Sequence, residues 1–176
     1  YVEWTDYGIS FPYFYPLLLA VVDGCTGLGM YSGVVLNIAV GLVSALLLPP
    51  VSRGLCRRGW PGVMAAIALL TNRKYLSEVL SGRAIPAAVL CVILLLFLFT
   101  QARVWTGKRL FLAGVIAGIS MATRFDNLTV VAFVGLCVLL WAGKKRWRGI
   151  LCYGVGALLP LLPWVVYSAA RFGVPW

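Results

Sequence analysis

The chain has 176 residues, of which 62% are hydrophobic and only 11% charged, and its mean hydropathy is +0.96. A water-soluble domain of this size needs more polar side chains to cover its surface, so the solvent here is lipid. The formal charge of +10 resides in short turns between apolar runs, with no basic stripe interleaved with aromatics, which excludes a nucleic-acid partner.

Residues 1–16 carry Tyr1, Trp4, Tyr7, Phe11, Tyr13, Phe14 and Tyr15. Such rings favour the headgroup level, so the segment reads as an outer interfacial stretch. Leu17 to Val22 is apolar but too short to cross, and Asp23, Gly24 and Gly27 interrupt it. A juxtamembrane helix lying on the surface fits, and residues 1–30 read as outer loop plus that helix. Residues 31–167 then read as transmembrane. The first span, about Tyr31 to Pro50, runs inward to Arg53, and Trp60 to Thr71 runs outward to Asn72-Arg73-Lys74. The next starts near Ala84, with Pro86 in the first helical turn where its missing N–H costs little, and reaches Gln101. Leu110 to Thr123 goes out, Leu128 to Ala142 returns, and Ile150 to Tyr167 goes out again, bent by Pro160 and Pro163. The expected fold is therefore all-α, a multi-pass transmembrane helical bundle of about six spans forming one domain over residues 1–176. With neither initiator Met nor signal peptide, the sequence reads as an internal piece of a larger membrane protein.

Following that alternation, the turns on one side hold Arg53, Arg57, Arg58, Arg103, Lys108, Arg109, Lys144, Lys145, Arg146 and Arg148, and no acid. The other side holds Glu3, Asp6, Asp23, Glu78 and Asp126 with Arg73, Lys74, Arg83, Arg124 and Arg171. Cytoplasmic loops retain Lys and Arg, so the acid-bearing face is outside and the membrane is the plasma membrane. Two outward runs are short: about 12 residues before Asn72 and about 14 before Arg124, against about 20 for a straight crossing. A recessed Arg124-Phe125-Asp126-Asn127 turn implies an outward-open polar cavity with Arg124 and Asp126 at its floor and Asn72 to Arg83 on its wall. Lipid thinning or a simple Arg124–Asp126 pair is the structural alternative. Gly114-Val-Ile-Ala-Gly118 is a small-xxx-small pattern for close helix packing.

Other chemistry is sparse. The cysteines Cys25, Cys56, Cys91, Cys137 and Cys152 show no CxxC spacing, and three of them lie in apolar runs. The absence of histidine removes His-based triads, His-ligated zinc and haem, and His relays from these residues. No cofactor is evident, and a divalent metal stays open. Gly27-Leu-Gly29 followed by Gly33 does not match a dinucleotide fingerprint. Asn127-Leu-Thr129 matches a glycosylation sequon but begins a span. Glu3 and Asp6 are the only acids close enough to form a glycosidase-type pair.

Phe-Pro-Tyr-Phe-Tyr-Pro-Leu-Leu-Leu-Ala (11–20), Leu36-Asn37, Leu76-Ser77-Glu78, Gly118-Ile-Ser-Met-Ala-Thr-Arg124, Leu-Pro-Trp (162–164) and Arg-Phe-Gly-Val-Pro (171–175) follow one another in a definite order. In that order the chain resembles integral-membrane glycosyltransferases of the GT-C superfamily, the protein mannosyltransferase-like and aminoarabinose transferase-like enzymes. The resemblance implies transfer of a sugar from a polyprenyl-phosphate donor to a lipid, glycan or protein acceptor at the outer face. It places the main catalytic Asp upstream of Tyr1, with Asp6 or Glu3 the lesser candidates for the acid. It implies for Glu78 a role in positioning acceptor or donor, against a salt bridge to Lys74 or Arg83. Arg73, Lys74, Arg83, Arg124 and Arg171, with Asp126, are the substrate-binding candidates, the cations meeting phosphate charge; ordinary snorkelling cations are the alternative. A transporter or lipid flippase with the same charges along a translocation path is the rival class, and a non-catalytic membrane subunit is a third.

Overall fold

The computed structural model describes residues 13–101, 106–141 and 146–172. Among the described residues there are nine α-helices and no strand. In chain order they are α1 (Phe14–Thr26), α2 (Ser32–Cys56), α3 (Trp60–Thr71), α4 (Arg73–Leu80), α5 (Ile85–Gln101), α6 (Gly107–Thr123), α7 (Leu128–Trp141), α8 (Arg146–Leu158) and α9 (Leu162–Phe172). Short 3₁₀ turns at Gly29–Tyr31, Phe125–Asn127 and Leu159–Leu161 link some of them.

Helix α2 shows which solvent the fold is built for. Its buried residues are Ser32, Gly33, Asn37, Gly41, Ser44, Ala45, Val51 and Ser52. Its large apolar residues Val35, Ile38, Leu42, Val43 and Leu46 face outward. In water this arrangement would be inside out. In lipid, tails solvate the large apolar side chains while small and polar residues make the helix–helix contacts.

Two helical runs, Gly29–Cys56 and Trp147–Tyr167, are long and apolar enough to cross a membrane. Helices α4 and α5, bent by 117° at their break, make a third if counted as one broken span. The all-helical expectation is met, while α3 with 12 residues, α6 with 17 and α7 with 14 are shorter than a straight crossing; that needs about 20 residues. Their directions nevertheless alternate. Gly33 abuts Gly82 at one end, whereas Gly54 lies beside Thr100 and Gln101 Nε2 donates to Pro50 O (3.5 Å) at the other, so α2 and α5 run parallel. Gly107 lies by Cys152 and Gly118 by Pro160, so α6 and α8 are parallel too. Helix α7 returns between them in sequence, with the Tyr153 hydroxyl donating to Val131 O (2.8 Å) and Gly135 against the same ring.

The most extensive contact joins α6 and α8. A Cβ at Gly114, Gly118 or Gly156 would overlap the Tyr153, Ala157 and Phe111 carbonyls respectively. The small-xxx-small expectation thus acquires its partner, and a core of Leu95, Leu110, Ala113, Ala117, Val134, Val138 and Tyr153 packs around the crossing.

Several boundaries differ from the sequence reading, among them the start of α8, at Arg146 rather than Ile150. Helix α2 passes through Pro49 and Pro50 to Cys56 instead of ending there. Proline deletes its own N–H bond and crowds the carbonyl four residues back, but later residues are free to stay helical. The helix ends at Arg57, in left-handed conformation with φ 58°, whose N–H bonds Arg53 O. Asn72 to Arg83, read as an outer turn, contains α4. Helix α6 begins at Gly107, capped by the Thr106 hydroxyl, rather than at Leu110. The bend expected from Pro160 appears as the 3₁₀ turn between α8 and α9.

Candidate functional site at the acid-bearing end

The three described acids, Asp23, Glu78 and Asp126, all lie at one end of the bundle, with Arg73, Lys74, Arg83 and Arg124. Arg53, Arg57, Arg58, Lys108, Arg109 and Arg148 lie at the opposite end with no acid among the described residues there.

The acid-bearing end is organised around the break between α4 and α5. Asn72 stops α3 with extended backbone and caps α4, its Oδ1 accepting the Tyr75 N–H at 3.0 Å. After Leu80 the chain turns at Gly82, whose φ of 68° favours glycine and whose backbone lies against Gly33. Asn37, fully buried on α2, holds this turn. Its Nδ2 donates to Arg83 O (2.8 Å) and, at longer range, to Val79 O (3.4 Å), and its Oδ1 accepts from the Tyr15 hydroxyl (3.0 Å). The same hydroxyl lies 2.8 Å from Gly82 O. Residues 15, 37 and 82 thereby tie α1, α2 and the turn together.

Glu78 sits beside this latch with its side chain only 12% exposed. Its Oε1 is 3.4 Å from Arg83 Nη1, and its Oε2 is buried with no hydrogen-bond partner. Leaving a buried carboxylate oxygen unpaired costs about 1–3 kcal/mol or more, so a donor brought to this oxygen would be stabilising. Of the two salt-bridge partners open in the sequence, Arg83 is the one used, because the turn at Gly82 folds it back onto the helix. Lys74 and Arg73 are exposed in the first turn of α4, where the helix macrodipole repels cations rather than stabilising them. Deeper along α4, the Tyr75 hydroxyl lies against Gly41, near Ser44, and neither hydroxyl makes a well-formed hydrogen bond to protein.

The second cluster is the turn after α6. Arg124 Nη2 pairs with Asp126 Oδ2 at 2.6 Å, and these side chains are 38% and 75% exposed. Asn127 Nδ2 donates to Ser120 O (3.1 Å) and Ser120 Oγ (2.9 Å), tying the turn to α6 and occupying the sequon amide. The described residues show the Arg124–Asp126 pair that the sequence offered as the alternative to a polar cavity floor. The pair is satisfied internally on an exposed turn, and the adjacent cavity of about 170 Å³ is lined by Tyr13, Met121, Ala122, Phe125, Leu161, Trp164 and Val165, all without charge. Phe125 and Trp164 pack edge to face, with ring centroids 6.1 Å apart. Tyr13 reaches this cavity and Tyr15 reaches Gly82, so the start of α1 bridges the two clusters.

Asp23 has a structural role. Its Oδ1 accepts from the Gly29 N–H (2.6 Å) and the Ser32 hydroxyl (2.9 Å), fixing the α1–α2 connection. Glu3 and Asp6, with the interfacial stretch before Tyr13, lie outside the described residues, as do Arg103, Lys144 and Lys145. Arg171 is on α9, with its side chain outside those described. Among the described residues no three His, Cys, Asp or Glu side chains gather as a metal site. Sequence reasoning missed the structural weight of Tyr15 and Asn37; an Asn alone in an apolar span was the available signal, since polar groups at that depth need partners. Comparisons with family models, curated proteins and solved structures find no match to this chain.

Proposed function

We propose that the chain belongs to a GT-C-type glycosyltransferase, transferring a sugar from a polyprenyl-phosphate donor to an acceptor at the outer face of the plasma membrane. In this reading the helices form six crossings, the shorter ones set in locally thin or protein-filled bilayer. The basic end is cytoplasmic by the positive-inside rule. The observation that carries the reading is Glu78: a carboxylate with one oxygen on Arg83 and the other buried and unpartnered, at the end where exposed cations gather. Such a group can accept the proton of, or orient, an acceptor hydroxyl as it attacks the anomeric carbon. Arg73, Lys74, Arg83, Arg124 and Arg171 can meet the charge developing on the departing lipid phosphate.

The test is transfer of radiolabelled sugar from polyprenyl phosphate by the full-length protein in membranes. Glu78→Gln keeps size and hydrogen-bonding capacity but removes the base, and the expected loss is about 100-fold with insertion unchanged. Wild-type transfer with undiminished activity in the variant sinks the role of Glu78. The second reading, a transporter or flippase, is favoured by the 117° break between α4 and α5, since broken helices line translocation sites. Solute or lipid movement in proteoliposomes without transfer would select it.

A further inference from the structure

Helix α3 packs on α2 and α4, and α5 packs on α2, α4 and α6. Between α3 and α5 they leave an open groove of about 400 Å³, lined by Leu48, Ala65, Ala68, Leu69, Asn72 and Ile93. Ala65, Ala68, Leu69 and Asn72 follow the i, i+3, i+4, i+7 face of α3, so the groove runs along the helix for about 10 Å. Its wall is hydrocarbon and its head is polar. The Asn72 Oδ1 is already used to cap α4, so what Asn72 offers the groove is its amide N–H₂. Arg73 and Lys74 follow directly, within two Cα–Cα steps of about 3.8 Å each, and both are exposed. The nearest acid in sequence, Glu78, is turned to Arg83. An apolar slot that ends at an amide donor, with two exposed cations next to it in the chain and no acid among its lining residues, is complementary to an amphiphile whose head is anionic.

We infer that this groove holds one anionic phospholipid of the bilayer, an acyl chain lying along α3 and the headgroup phosphate taken by Asn72, Arg73 and Lys74. The lipid closes the gap between α3 and α5 and supplies the negative charge that the first turn of α4 lacks. Arg73 and Lys74 are also among the cations proposed above for the donor phosphate, but lipid labelling along the groove is read without any sugar transfer, so the two readings fail separately.

The full-length protein is reconstituted with phosphatidylglycerol carrying a diazirine on one acyl chain, irradiated, and mapped by peptide mass spectrometry. Phosphatidylcholine with the same label is the neutral control. Adducts are expected on the peptides containing Ala65 to Asn72 and Ile93, with phosphatidylglycerol favoured over phosphatidylcholine. In Arg73→Gln/Lys74→Gln, at exposed positions that do not disturb the core, that preference falls by about 30-fold, the factor expected from two surface cations. Adducts spread evenly over the apolar surface, or a preference that survives the double substitution, overturn the inference. Glycerol phosphate competing as well as the lipid does, with no acyl adduct in the groove, would mark a free-phosphate site and overturn it equally.

Discussion

Replacing Asn37 by Leu keeps the volume of a side chain that is fully buried but removes every polar contact it makes. Two contacts are short: the amide donates to Arg83 O at 2.8 Å, and the carbonyl accepts the Tyr15 hydroxyl at 3.0 Å. The 3.4 Å approach to Val79 O counts for little. Tyr15 keeps Gly82 O as an acceptor, so its loss is partial. Hydrogen bonds between membrane helices average about 0.6 kcal/mol and reach about 1.7, whereas orphaning a part-buried carbonyl such as Arg83 O falls in the lower half of about 1–3 kcal/mol. One partial loss and one orphaned carbonyl give about 2 kcal/mol. Equilibrium unfolding in mixed micelles measures it directly, and a cycle with Tyr15→Phe isolates the pair, with a coupling of about 0.5–1 kcal/mol expected. Amide exchange from Val79 to Arg83 should rise in parallel, because Asn37 holds that turn. A loss below about 0.5 kcal/mol, with exchange unchanged, would refute the view that Asn37 sets the α4–α5 break.

Gly118→Leu drives a side chain into the Ala157 carbonyl and Pro160; overpacking there should cost about 3 kcal/mol, read as loss of the folded fraction in detergent. Ser44→Ala should be neutral or slightly stabilising in the same unfolding assay, because its hydroxyl is buried without a well-formed bond. Cys25 and Cys56 are exposed at opposite ends of the bundle. In intact cells a membrane-impermeant maleimide should label Cys25 and reach Cys56 only after permeabilisation; the reverse pattern would invert the proposed topology.

The helices were legible because each depends on local properties. Apolar runs gave α3 and α7 almost to the residue, and Pro86 marked the first turn of α5. Charge segregation was legible for the same reason, since it needs only the order of runs and turns. Helix α4 was missed because its formation rests on a cap by Asn72 and on burial of Tyr75 and Val79 against the bundle. Around the Arg124 turn, sequence spacing does not show that Ser120 anchors Asn127 or that Tyr13 and Trp164 line the neighbouring space.

Composition and periodicity by themselves determined that the described residues are helical, built with an apolar exterior suited to lipid, and acidic at one end only, because hydropathy and charge act residue by residue. Only the tertiary structure decided that Glu78 pairs with Arg83 rather than Lys74, and that α6 takes α8 as its close partner. It alone decided that Tyr15, Asn37 and Gly82 form one latch. Those outcomes join positions up to 67 residues apart, and their free energies exist only once packing has brought the groups together and excluded competing solvent.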